Sequence, residues 1–151
     1  EKRATKSGVE SRDARLFTGG PDARMIAGPA EIAAIAASAD ARLVDARAPE
    51  RFRGDIEPID PVAGHIPGAM NYFYMRNISD GRFLSPEELR EQWRTSLGDV
   101  PAERVVCYCG SGVTACHDVL ALEHAGLHGS RLYPGSWSEW IADPGRPIER
   151  E

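Results

Sequence analysis

Val105-Val106-Cys107-Tyr108-Cys109-Gly110-Ser111-Gly112-Val113-Thr114-Ala115 is the stretch around which the rest of the chain is organised. Apolar, β-branched residues break abruptly into a cysteine and two glycines, and helix-compatible sequence resumes at once, which predicts strand, tight loop, helix. Cys109 falls at the junction. The first N–H groups of a helix lack intrahelical partners and carry the positive end of its macrodipole. Glycines at 110 and 112 can take positive φ and let successive amides turn inward around one point. Such a nest favours an anion, and a thiol with an ordinary pKa of about 8.5 can fall to roughly 3.5–7.5 at a helix start, giving a thiolate nucleophile near neutral pH. A second reading of the same residues is a buried structural cysteine before a tight turn. A third is a zinc site of Cys107, Cys109, Cys116 and His117. Residues 107 and 109 would share a strand face, but no C-x-x-C pair is present and the glycines suit an anion better, so no metal is expected.

The segment after the loop predicts a helix from about Thr114 through Val119, Leu120 and Leu122 to Ala125, closed by Gly126. Upstream, Ser85-Pro86-Glu87-Glu88 supplies an N-cap, a first-turn proline and a capping-box acid for a helix through Leu89, Trp93 and Leu97 that stops at Gly98. Arg42-Leu43-Val44-Asp45-Ala46-Arg47 reads as a strand ending in charge, and Pro29–Ala36 as a helix with proline at its first position and Ile32, Ile35 and Ala36 toward the core. Asn71–Tyr74 and Arg131–Tyr133 are two further short strands, and Pro134–Trp140 is a turn into a short helix whose tryptophans cover the core. Strands alternating with helices predict an α/β fold with a mainly parallel sheet covered on both faces. Ligands collect at the carboxyl end of such strands, so Arg51 and Arg53, after the Asp45 strand, stand beside the candidate site. Each could equally be solvated or paired with Asp45, Glu50 or Asp55. His65, between glycines, is expected to be a structural hydrogen-bonding residue.

The 151 residues suit one domain, read as an arm or linker over residues 1–24 and a folded unit over 25–151. A net charge of -5 argues against a general nucleic-acid or membrane-surface binder. No apolar run approaches a membrane span, and Glu1–Lys6 lacks the apolar core of a signal peptide. Three cysteines clustered at 107, 109 and 116 do not form a secreted disulfide framework, so a reducing, cytoplasmic setting is expected.

Four stretches together resemble the rhodanese family of sulfurtransferases: Val44–Arg47, Gly64-His65-Ile66-Pro67-Gly68-Ala69, the loop Cys109–Thr114, and Tyr133–Trp140, in the family's order from about Pro29 to Glu149. The resemblance implies a three-layer domain and nucleophilic covalent catalysis without a cofactor. Cys109 would take sulfur from a small anionic donor as a persulfide cradled by Gly110, Ser111, Gly112, Val113 and Thr114, and pass it to thioredoxin, a small thiol or, in vitro, cyanide. Arg51 matches the arginine that binds the donor's carboxylate or carbonyl, and Ser111 the serine that assists proton transfer to the leaving enolate. Cys-Gly-Ser-Gly-Val-Thr is similar to the loop of 3-mercaptopyruvate sulfurtransferases, whereas thiosulfate-preferring members carry basic residues at the second and third positions. Charge agrees: thiosulfate is a dianion, and a unit charge pair at 4 Å is worth about 4 kcal/mol at an effective dielectric of 20, which Gly110 and Ser111 do not supply.

Asp60 stands where animal-type enzymes have a second substrate arginine, with Arg53 as the candidate replacement. The resemblance further implies that the chain is the second, catalytic domain of a tandem protein whose inactive first domain precedes the arm. Alternatives are a thiosulfate sulfurtransferase and a non-catalytic sulfur-carrier or protein-binding module. A phosphatase of the related fold would need an arginine where Ala115 stands, and lacks its main charge partner. Cys107 and Cys116 are expected to pack, Cys116 becoming a redox partner if it faces the site.

Overall fold

The computed structural model describes residues 7–9, 11, 13–16, 18–20 and 22–151. Of the expected arm, positions 1–6, 10, 12, 17 and 21 lie outside the described residues. Regular structure starts within it, at a 3-10 turn over Ala23–Met25 whose Arg24 N–H donates to Asp22.

Four strands form one parallel sheet: β1 (Arg42–Asp45), β2 (Met70–Asn71), β5 (Val105–Tyr108) and β6 (Arg131–Leu132), in the order β2-β1-β5-β6. β1 and β5 run in register from Arg42 opposite Val105 to Asp45 opposite Tyr108. Alternation along β5 splits its side chains between two cores, as the period of a strand requires. Val105 and Cys107 face one cluster with Leu89, Trp93 and Leu122, while Val106 and Tyr108 face the other with Ile32, Ile66, Tyr133 and Trp137. The first cluster is covered by α3 (Pro86–Leu97) and α4 (Val113–His124), the second by α1 (Pro29–Ala36) and α5 (Ser136–Trp140). Helices, sheet and helices make the three layers. The strand order reverses direction between β1 and β5, and the crevice beyond their carboxyl ends is where an open α/β sheet binds ligands.

Local chemistry explains the helix ends. Ser85 Oγ accepts from Glu88 N–H at 3.3 Å while Glu88 Oε2 accepts from Ser85 N–H at 2.9 Å, the expected capping box, with Gly98 at the far end. α1 starts at Pro29 as expected, and Ile32 is its one fully buried residue, with Ile35 and Ala36 half-buried. A five-residue helix, α2 (Pro49–Arg53), carries both arginines and turns at Gly54 in left-handed conformation, φ 86°.

Two expectations need correction. The strand expected over Asn71–Tyr74 is only Met70–Asn71, and the chain then bends into a 3-10 turn over Tyr74–Asn77. The bend delivers the Asn77 amide into the core, where Oδ1 accepts from Trp93 Nε1 at 3.1 Å and Nδ2 donates to Asp118 at 2.7 Å. The turn is followed by a hairpin absent from the expectation, β3 (Ile78–Ser79) against β4 (Arg82–Phe83). Asp80 and Gly81 both take positive φ (50° and 72°), the requirement of a two-residue hairpin loop.

Candidate active site

Cys109 is the first residue after β5, and α4 begins four residues later with Gly112 in left-handed conformation, φ 82°. Only Gly112 of the two loop glycines uses that freedom. It is required there: a Cβ at Gly112 would lie 2.6 Å from the Pro134 carbonyl oxygen. Among the described residues, no hydrogen bond takes up the N–H of Gly110, Ser111 or Gly112. These amides, with the first N–H groups of α4, are donors free to hold an anion.

The other side of the loop is clamped by the segment before and within α5. Ser136 Oγ accepts from Cys109 N–H at 3.1 Å and donates to the Tyr133 carbonyl at 2.8 Å. The N–H of Trp137 donates to the Cys109 carbonyl and that of Ser138 to the Gly110 carbonyl, at 3.0 and 2.9 Å. Ser136 accepts a left-handed backbone, φ 53°, an uncommon conformation for a residue with a Cβ. Thus Tyr133–Trp140 holds the loop as well as covering the core.

Cys109 is 2 % exposed and packs in the apolar cluster under α3 and α4, as a buried cysteine before a tight turn does. Ser111 and Val113 are exposed, Gly110 and Thr114 half-buried. Arg51 comes to the loop from α2: its guanidinium nitrogens lie 3.6 and 3.8 Å from where a Gly110 Cβ would stand. It is held there by Glu57, which accepts from Arg51 Nη2 at 2.6 Å and Nε at 3.1 Å. Glu57 also accepts from the amides of Ile59 and Asp60 and meets Arg47 at 3.3 Å. Burial pushes the Glu57 carboxyl up, but the Arg51 hydrogen bond and the two amides outweigh it and hold it below its ordinary range. Arg47 is itself buried against Asp45 and lies over the Trp137 ring, 4.9 Å from its centroid.

Arg53, the candidate replacement, pairs with Asp55 at 2.8 Å, both side chains partly exposed. Asp60 instead sits 3.5 Å from Arg51. Cys107 packs in the core, where burial raises its thiol well above the ordinary value. Cys116 departs from the expected packing role: it is exposed, and its thiol donates to the Gly112 carbonyl at 3.2 Å. His117 stacks on Phe83, and His65 accepts its structural role, stacked on Phe52 with Nδ1 2.8 Å from the Phe52 carbonyl oxygen. Among the described residues, no group of His, Cys, Asp or Glu is arranged to hold a metal ion.

The Rhodanese family, described as a rhodanese-like domain, matches residues 28–143. The chain belongs to the rhodanese family. A "Probable 3-mercaptopyruvate sulfurtransferase" of Pseudomonas aeruginosa is 53% identical over 146 residues, covering 96% of this chain and 51% of the relative. The thiosulfate sulfurtransferase of Rattus norvegicus is 40% identical over 104 residues, covering 66% of this chain and 35% of that protein. This rhodanese chain thus spans about half, or less, of these curated relatives. Among solved structures, the anaerobic ergothioneine biosynthesis enzyme of Chlorobium limicola superposes with a TM-score of 0.74 over 84% of this chain and 32% of its own, at 24% identity, which shows the shared fold.

Sequence reasoning named Cys109, Arg51 and the loop, and the rhodanese fold brings them together. It missed Glu57, Ser136 and Ser138. Glu57 lies in a proline-broken segment without period, and only the need of a buried guanidinium for a carboxylate could have pointed to it.

Proposed function

We propose that this domain transfers sulfur from 3-mercaptopyruvate, through a persulfide on Cys109, to a thiol acceptor such as thioredoxin or a small thiol. The observation carrying this reading is the joining of three things in one loop: a buried cysteine at its start, loop amides without hydrogen-bond partners among the described residues, and the Arg51 guanidinium beside Gly110.

In the first half-reaction the Cys109 thiolate attacks the donor sulfur, the new S–S bond forms, and the C–S bond breaks with its electron pair entering the enolate of pyruvate. That enolate takes up the proton the donor thiol gives up, with Ser111 as the relay, and leaves as pyruvate. The persulfide anion rests against the amides of Gly110–Thr114. In the second half-reaction an acceptor thiolate attacks the outer sulfur, and the bond to Cys109 breaks to restore its thiolate. Arg51 holds the donor carboxylate, a task suited to a guanidinium fork. The neutral Gly110 and Ser111 favour this monoanion over thiosulfate, although relatives bear both names.

Residues 25–151 act as the catalytic unit in this reading. The arm at 1–24 links it to an inactive rhodanese domain of a longer protein, in keeping with the twofold length of the Pseudomonas relative. Three free cysteines suit a cytoplasmic setting, and among the described residues no helix is long and apolar enough to cross a membrane. Comparison of kcat/KM for 3-mercaptopyruvate and thiosulfate tests the assignment: a preference for the former is expected, and a clear preference for thiosulfate overturns it.

A further inference from the structure

Asp60 is the least explained charge near Cys109. Its side chain is 9 % exposed, yet only one of its two carboxylate oxygens is hydrogen-bonded, the other reaching Arg51 as an ion pair alone. Oδ1 lies 2.7 Å from Ser138 Oγ, whose single proton is shared in reach with the Gly110 carbonyl at 2.8 Å. Oδ2 is buried without a hydrogen-bond partner, 3.5 Å from Arg51 Nη2 and 3.8 Å from where a Gly110 Cβ would stand. Oδ2 is therefore buried beside Arg51 and the loop backbone at Gly110, within Coulomb reach of an anion held by that guanidinium.

The charges around that space do not cancel. Arg47 is matched by Asp45, and Arg51 by Glu57, each through a short charge-assisted contact of 2.6 Å. Asp60 is a third carboxylate against these two guanidiniums: it shares Arg51 with Glu57, at the longer distance of 3.5 Å, and leaves the cluster with one excess negative charge. Coulomb energy is proportional to the donor's own charge, so a carboxylate here opposes a dianion twice as strongly as a monoanion at the same place.

We propose that Asp60 is the donor-specificity residue of this site, excluding doubly charged sulfur donors while tolerating singly charged ones through Arg51. The inference rests on the sulfur-transfer reading above and adds to it a charge filter built from this chain's own residues. Ser138 keeps the filter in place by fixing Oδ1.

The test compares wild type, Asp60→Asn and Asp60→Glu by kcat/KM for 3-mercaptopyruvate and thiosulfate at low and high salt. If the neutral amide improves the monoanion by a factor f, it improves the dianion by about f squared. For a repulsion of about 1.4 kcal/mol per donor charge, the gains are about tenfold and about a hundredfold. Both gains shrink as salt screens the pocket. Asp60→Glu retains the charge and keeps the wild-type preference. Equal changes for both donors, or none, overturn the proposal.

Alkylation of Cys109 by iodoacetate against iodoacetamide gives a readout that needs no sulfur transfer. Asp60→Asn is expected to speed the anionic reagent about tenfold relative to the neutral one. An unchanged ratio overturns the charge filter. A changed ratio in a protein whose wild type forms no persulfide from either donor leaves the filter standing and removes the sulfurtransferase reading.

Discussion

The two loop glycines are predicted to fail in different ways when given a methyl group. Gly112→Ala places a Cβ 2.6 Å from the Pro134 carbonyl oxygen, 3.1 Å from its Cα and 3.2 Å from its carbonyl carbon, all of them backbone atoms that cannot swing aside. The left-handed φ of 82° costs an L-residue about 1–2 kcal/mol, and overpacking against fixed atoms typically adds about 1–3 kcal/mol. The expected loss is therefore about 2–5 kcal/mol. Gly110→Ala meets only Arg51 at 3.6 and 3.8 Å and Asp60 at 3.8 Å, ordinary contact distances, without a positive φ. Its stability should stay within about 0.5 kcal/mol of wild type. Its methyl, however, occupies the space between Arg51 and the loop, so donor kcat/KM should fall with stability preserved. Urea denaturation followed by fluorescence of the buried tryptophans measures the first effect, and the rate of persulfide formation the second. A Gly112→Ala protein within about 0.5 kcal/mol of wild type refutes the packing argument. Equal destabilisation by both substitutions refutes the distinction between them.

Arg51→Ala removes the charge-assisted contact proposed for the donor carboxylate, worth about 1.5–3 kcal/mol, so kcat/KM should drop roughly ten- to a hundredfold. Arg53→Ala, which loses only the partly exposed pair with Asp55, should leave it nearly unchanged, and equal losses would contradict the placement of the two arginines. Ser85→Ala deletes the side-chain cap of α3 and should cost about 1 kcal/mol in urea denaturation without altering persulfide formation. Asp118 is wholly buried with Oδ2 unpartnered, and burial pushes its carboxyl well above the ordinary value of 3.8. The folded protein then holds a proton the unfolded chain releases, so this residue's contribution declines as pH rises from the ordinary carboxylate range toward the folded pKa, by at most about 1.4 kcal/mol per pH unit. Asp118→Asn should flatten the stability curve between pH 5 and pH 9 and gain most at its alkaline end; parallel curves would contradict a buried protonated carboxyl.

The elements that sequence made legible are those whose signals are local. The strand at Val105–Tyr108, the capping box at Ser85 and the stop at Gly126 follow from periodicity and caps, and each appears within a residue or two. The Asp80-Gly81 hairpin carried an equally local signal, a positive-φ dipeptide, but its two-residue strands were too short to show alternation. The strand expected over Asn71–Tyr74 stops at Asn71, and the chain turns over Tyr74–Asn77, where a distant partner, Trp93, captures the Asn77 side chain. The candidate site divides similarly. Cys109 and its glycines announce themselves through the strand-loop-helix pattern. Glu57, Ser136 and Ser138 act through hydrogen bonds between segments far apart in the chain, which no local pattern encodes. The burial of Cys109 was one of two readings the sequence left open, since it depends on how α3 and α4 close over β5.

In the proposed mechanism the Cys109 sulfur carries the transferred atom. A single turnover with one equivalent of 3-mercaptopyruvate, with pyruvate quantified and the Cys109 peptide weighed, tests it most directly. One added sulfur atom on Cys109 per pyruvate released, absent in Cys109→Ser, is the predicted result. Pyruvate released without sulfur on Cys109, or the added sulfur found on Cys116 instead, would contradict it.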